Sequence, residues 1–177
     1  MTWVLVTAVV VALLVLIMFV VGYNKVRGAD VHADEALAGI DVQLTRRASL
    51  IPALVQTVQS FASHEKAILD NVTAARAAIT NATQGNSVAQ RGDAEKQLDT
   101  AVGQVLALGN IYPTLSSSAN FLDLQRNLAD TEDKLAFARQ YYNDAVATCN
   151  KLVTTIPWMF VAGMAGVKQH EFYKVPQ

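Results

Sequence analysis

The chain has 177 residues, enough for one domain with its own core. Its formal net charge of −1 excludes the broad basic field on which nucleic-acid binding depends. Its single cysteine, Cys149, excludes an intrachain disulfide and suits a reducing compartment.

Residues 3–22, WVLVTAVVVALLVLIMFVVG, hold neither charge nor proline. About 20 helical residues rise roughly 30 Å, the thickness of a bilayer's hydrocarbon core. A cleaved signal peptide would carry a basic region and a shorter apolar run, so an uncleaved transmembrane anchor is expected. Lys25 and Arg27 follow the run directly. Positive charge on that side places a short N-terminus outside and the remaining chain in the cytoplasm.

Asp30 reads as an N-cap, with Asp34 and Glu35 near the first turn of the next helix. A heptad seam follows: Leu37, Ile40, Leu44, Arg47, Ile51, Leu54, Val58, Phe61, Glu65, Ile68, Val72, Ala75 and Ile79. Its register holds across Pro52, so the spacing predicts one kinked helix reaching to about residue 84. Gly85-Asn86 suits a left-handed stop, and Ser87 with Gln90 forms a capping box for a second helix. Ala94, Leu98, Ala101, Val105 and Leu108 are its inward face, and Gly109-Asn110 ends it. IYPTLSSS reads as a loop. The third helix carries Phe121, Leu124, Leu128, Thr131, Leu135, Ala138, Tyr142, Ala145, Cys149 and Leu152 inward, and Pro157 closes it. WMFVAGMAGV (158–167) is too short to span a bilayer; it either folds back on the bundle or lies at the membrane interface.

The expected fold is all-α: a single transmembrane helix, then an antiparallel up-and-down four-helix bundle of three long helices and a short C-terminal one. A rival arrangement has the second and third helices descending as one arm toward the membrane. The segments are an anchor (1–22), a juxtamembrane stalk (23–36) and the bundle (37–177). The second helix is too short to cover the whole seam. Leu37, Ile40 and Leu44 would then stand exposed, which predicts homo-oligomers.

No enzymatic constellation is legible. HEKAI (64–68) lacks the second histidine of a zinc-peptidase motif, and His32, His64 and His170 show no ligand spacing. No metal or cofactor is expected, and no nucleophile elbow or phosphate-cradling loop occurs. Cys149 lies on a helix seam, where it serves as a small core residue. Asn71-Val-Thr73 and Asn81-Ala-Thr83 match glycosylation sequons but fall inside a helix of a cytoplasmic segment. Arg47 and Glu65 are charges on the seam. Either both reach outward to water, or Glu65 pairs with Arg139 or Lys134 across the bundle. Arg46 and Arg47 would meet Asp123 or a neighbouring subunit.

Several stretches together resemble the LemA family of bacterial membrane-anchored proteins: YNKVR (23–27), IDVQLTRRASLIPALVQTV (40–58), FASHE (61–65), VTAAR (72–76), YPTL (112–115), NFLDLQRNL (120–128), EDKLAFARQYYNDAV (132–146) and IPWMFVAGMAGV (156–167). The resemblance covers nearly all of the chain after the apolar run. It implies an N-terminal transmembrane helix with a small external terminus, a cytoplasmic four-helix bundle and no enzymatic activity. Some relatives are associated with organising or remodelling membranes. Asp41, Arg46, Arg47, Pro52, His64, Glu65, Arg76, Gln125, Glu132, Arg139, Tyr142 and Asn143 fit the family motif, which marks them as structural or interaction residues. Ser49 and Ala53 depart from it, standing where aspartate and asparagine are common. So do Leu37 and Ala38, where an aromatic is common. The expected function is a non-enzymatic scaffold at the cytoplasmic face of the bacterial inner membrane, with the bilayer and further copies as partners. The alternative is an adaptor or regulatory subunit of another membrane protein, such as a protease or sensor.

Overall fold

The computed structural model of the chain describes residues 1–175. Their regular structure is entirely helical. It comprises α1 (Thr2–Gln59), α2 (Lys66–Gln84), α3 (Val88–Ile111), the single turn α4 (Pro113–Ser116), α5 (Ala119–Thr154) and α6 (Trp158–Ala165). The all-α class is as expected, and the residues group into two compact units. One takes Met1–Ala36 with Tyr142–Glu171; the other takes Leu37–Tyr141 and the C-terminal residues from Phe172.

In the first unit, α1 is the one helix, among the described residues, long and apolar enough to cross a bilayer, and none of its apolar window is buried. Asp30 is not a cap, because α1 runs through it without a break. Its carboxylate instead pairs with Arg27 one turn earlier (3.0 Å) and with His170 Nε2 (2.8 Å). Val26, Cys149, Leu152, Ala162 and Val167 form a small core, against which Trp158 packs. The tail is strapped by polar bonds. Asn150 and the His170 backbone exchange two hydrogen bonds (2.8 and 2.9 Å), and the Tyr142 hydroxyl donates to the Glu171 carbonyl (2.8 Å).

The second unit is a four-helix bundle of α1 from residue 37, α2, α3 and α5 to residue 141. Asp41 meets Arg91 and Arg47 meets Asp99, so α1 and α3 run the same way. Arg47 also meets Glu132, while Ala53 and Thr57 share a groove with Asn120 and Leu124, so α5 runs opposite. Ile40, Leu44, Ile51, Leu54 and Val58 are fully buried or nearly so, as are Ile79, Leu98, Val105 and Leu135. Each such side chain contributes about 1.5–3 kcal/mol by leaving water.

The largest difference from the sequence expectation lies in the first long helix. The long helix expected to reach residue 84 stops at Gln59, passes through Pro52 intact, and turns back at residues 60–65. The seam slips by one residue there. Phe61 is exposed and Ala62 is buried in its place; Ile68 is half-buried while Leu69 is buried. Folded back in this way, the chain buries Ile40 and Leu44 within itself and leaves Leu37 half-buried, so the continuous exposed seam on which oligomers were expected is absent.

Smaller differences follow the same logic of local geometry. Gly85 is extended (φ −88°), not left-handed. Ser87 does cap α3, its Oγ accepting from Gln90 N at 3.2 Å. Ser87→Ala should therefore cost about 1 kcal/mol, read as a lowered melting temperature. The stretch expected as a loop contains α4, with Pro113 at its first position, where its missing N–H costs nothing. α3 continues past Gly109 to Ile111. A Cβ at Gly109 would lie 3.2 Å from the Phe121 ring, so the close approach of α3 to α5 favours glycine there.

Candidate functional site

The second unit carries charge on the inward faces of its helices. Arg47 is on α1, Arg91, Glu95 and Asp99 are on α3, and Glu132 and Arg139 are on α5. Arg47, Arg91 and Glu95 are buried, Glu95 completely. Buried charges persist only when paired and hydrogen-bonded, and these are. Arg47 Nη1 donates to Asp99 Oδ1 and to Glu132 Oε2, the latter at 2.6 Å. Arg139 donates to the other Glu132 oxygen (2.9 Å) and to Glu95 Oε1 (2.6 Å). The Tyr173 hydroxyl donates to Glu95 Oε2 (2.6 Å). Beside this chain, Arg91 forks onto Asp41 through Nε (2.6 Å) and Nη2 (2.8 Å), and bonds the Ser87 carbonyl at 3.1 Å.

The network joins α1, α3, α5 and the C-terminal segment around Tyr173. Three carboxylates share two guanidinium groups and one hydroxyl. Burial pushes the Glu95 carboxyl above its usual range, against the lowering effects of Tyr173 and Arg139. Burial likewise pushes Asp99 up, against Arg47. Tyr173 rises far above the ordinary phenol range, through burial first and then the facing Glu95. It remains a neutral hydrogen-bond donor.

Glu95, Asp99 and Glu132 lie close enough for a cation to bridge, with oxygens within 4.8 Å of one another. Here the guanidinium groups of Arg47 and Arg139 already take those oxygens. In the first unit, Asp30, Cys149 and His170 also converge within 4.8 Å. The Cys149 thiol is pushed up by burial and by Asp30 and Asp34, so it stays protonated and suits packing better than attack. The first cluster, through its arginines, links α1, α3 and α5, and in the second Asp30 ties the tail to α1 through His170.

The structure sorts the sequence-derived residues. Asp41, Arg47, Glu132 and Arg139 come together in or beside the network. Glu65 does not pair with Arg139 or Lys134. It accepts a bond from the Tyr112 hydroxyl (3.0 Å) at the α1–α2 turn, while Lys134 pairs with Asp130. That bond holds the Tyr112 phenol above its usual range. Arg47 meets neither Asp123 nor solvent. Asp123 pairs with Arg126, and exposed Arg46 approaches Asp130 at 3.6 Å. Pro52, His64, Arg76 and Gln125 are exposed and outside the network. Tyr142 is buried, and Asn143 is half-buried beside it in sequence.

The sequence reading missed Arg91, Glu95, Asp99 and Tyr173. Its available signal was the phase of α3. Arg91 and Glu95 lie four and three residues from Glu95 and Leu98 on one stripe, which makes them inward-facing by spacing alone.

The profile of the LemA family matches residues 36–177. Magnetosome protein MamQ of Magnetospirillum gryphiswaldense is 25% identical over 174 residues, covering 85% of this chain and 64% of its own length. Magnetosome proteins MamQ 1 and MamQ 2 of Paramagnetospirillum magneticum are each 25% identical over 157 residues, covering 76% of this chain and 58% of theirs. The chain therefore spans less than two thirds of the length of these relatives.

Proposed function

We propose, on the premise that this chain belongs to the LemA family and is a membrane-associated helical protein, that it is a non-enzymatic scaffold. Residues 3–22 anchor it in the bacterial inner membrane, with the short N-terminus outside. Lys25 and Arg27 support that orientation by retaining the following residues on the cytoplasmic side. The relatives are named for a bacterial structure, the magnetosome, and not for a reaction, which is in keeping with a non-catalytic part.

One observation carries the scaffold reading. The charges of the second unit close on one another inside it, while its outer face shows large apolar groups. Phe137 is 72% exposed and Tyr141, one turn later on α5, is 47% exposed. A pair at this spacing forms one patch, and exposed aromatics are favoured anchors of protein contacts. Self-association through this face replaces the seam contact that the folded-back chain removes.

Crosslinking of the full chain in native membranes tests the reading. The expected result is crosslinked multimers that Phe137→Glu reduces at least several-fold while the helical circular dichroism is retained. Monomers alone would defeat it. Stoichiometric crosslinks to a different chain, lost in the same variant, would establish the adaptor role instead.

A further inference from the structure

The segment 152–167, LVTTIPWMFVAGMAGV, carries no charge, and Lys151 and Lys168 flank it. In the first unit its helix, α6, packs beside the end of the apolar run of α1. Gly22 closes that run, and a Cβ there would lie 2.9 Å from the Trp158 ring and 3.4 Å from Val161. Lys25 Nζ sits 5.2 Å from the centre of the Trp158 ring. Val161 and Ala162 are the buried face of α6. Away from that face Phe160 is 66% exposed and Met164 73%, and Ile156, in the turn just before the helix, extends the open stripe at the same four-residue spacing (74%).

This stripe is an apolar face that nothing in its own unit covers. What covers it follows from its place. Gly22 lies at the edge of the hydrocarbon layer if residues 3–22 span it, because that run is about 30 Å long as a helix. An apolar helix held against Gly22 then lies at the same depth. A tryptophan at this level, with lysines bordering an uncharged apolar stretch, is the composition of a membrane interface.

We infer that α6 is an in-plane lipid-binding element. Ile156, Phe160 and Met164 enter the bilayer that holds residues 3–22, about 5–10 Å into the boundary between headgroups and acyl chains. Lys25, Lys151 and Lys168 meet the anionic headgroups of that leaflet. The chain thus grips one leaflet by a second contact beside its span. The inference rests on the anchored reading of residues 3–22.

The test uses the full chain in vesicles of phosphatidylethanolamine and phosphatidylglycerol. An environment-sensitive fluorophore is attached through Phe160→Cys and, in a second protein, through Met164→Cys. Native Cys149 is buried and is not expected to react. Asp144→Cys, at an exposed position on α5, gives the aqueous reference. The expected result at 160 and 164 is quenching by lipids brominated near the headgroup end of their acyl chains. Iodide in the buffer should quench these probes several-fold less than the reference. Iodide quenching equal to the reference would overturn the inference. Shielding from iodide without quenching by lipid would also overturn it, because a protein surface then covers the stripe. Carbonate extraction of the same vesicles separates the two readings. Release of the chain defeats the anchor and the inference together, whereas retention with water-exposed probes defeats the inference alone.

Discussion

Arg47→Ala is expected to destabilise the folded chain by about 3–5 kcal/mol, while Arg46→Ala changes it by about 0–1 kcal/mol. The two residues are neighbours in sequence and identical in chemistry. They differ in surroundings. Arg47 is 6% exposed and is bonded to Asp99 and Glu132. Its removal leaves Asp99 and Glu132, both half-exposed, without their shared cation and facing the buried Glu95 across the remaining Arg139. The Arg46 side chain is 51% exposed and lies 3.6 Å from an equally exposed Asp130, a pair that water and salt screen. Thermal unfolding of the detergent-solubilised chain, followed by far-ultraviolet circular dichroism, measures both. Equal shifts for the two variants would show that Arg47 is not buried in the folded protein.

Glu95→Ala should cost a similar amount, because it strands the Tyr173 hydroxyl and one arm of Arg139 and leaves a cavity. Glu95→Gln should behave differently, and its effect depends on pH. The folded state raises the Glu95 and Asp99 carboxyls above their ordinary values of 4.5 and 3.8. Above those ordinary values the folded chain therefore binds more protons than the unfolded chain. The contribution of these two groups to stability is full below the ordinary values and is lost as pH rises through the raised ones. Glutamine resembles the protonated acid and has no proton to lose. Glu95→Gln should match the native chain near pH 4 and become relatively more stable toward neutral pH. Melting temperatures of both proteins across that range decide the matter. A variant that loses ground steadily as pH rises would mean that the Glu95 carboxylate is favoured by its pairing with Arg139 more than it is penalised by burial.

These two expectations mark where reading from sequence gave out. Most of the apolar seam positions of α3 and α5 were legible in the sequence. Leu98, Ala101, Val105 and Leu108 are buried as their spacing requires, as are Phe121, Leu128, Leu135, Tyr142 and Cys149. Arg47 was legible as a charge on an apolar seam, but its partners were not, since Asp99 is 52 positions away and Glu132 is 85. The turn at 60–65 was hidden because no glycine or proline marks it and the apolar period nearly survives it. A helix that continues and a helix that folds back both need an inward stripe, so periodicity alone does not separate them.

The amino-acid sequence by itself determined the apolar run of 3–22, the helical class, the inward stripes and the Ser87 cap. Each depends on residues within a turn or a few turns of one another, where spacing and residue type fix the outcome. Only the tertiary structure decided that α1 turns back at residue 60 and that Arg47 and Arg139 share Glu132. It also decided that Glu65 bonds Tyr112, and that the tail returns to place His170 on Asp30 and Tyr173 on Glu95. These depend on which distant surfaces exclude water together, a choice made by the packing of the whole unit and written in no single stretch of the chain.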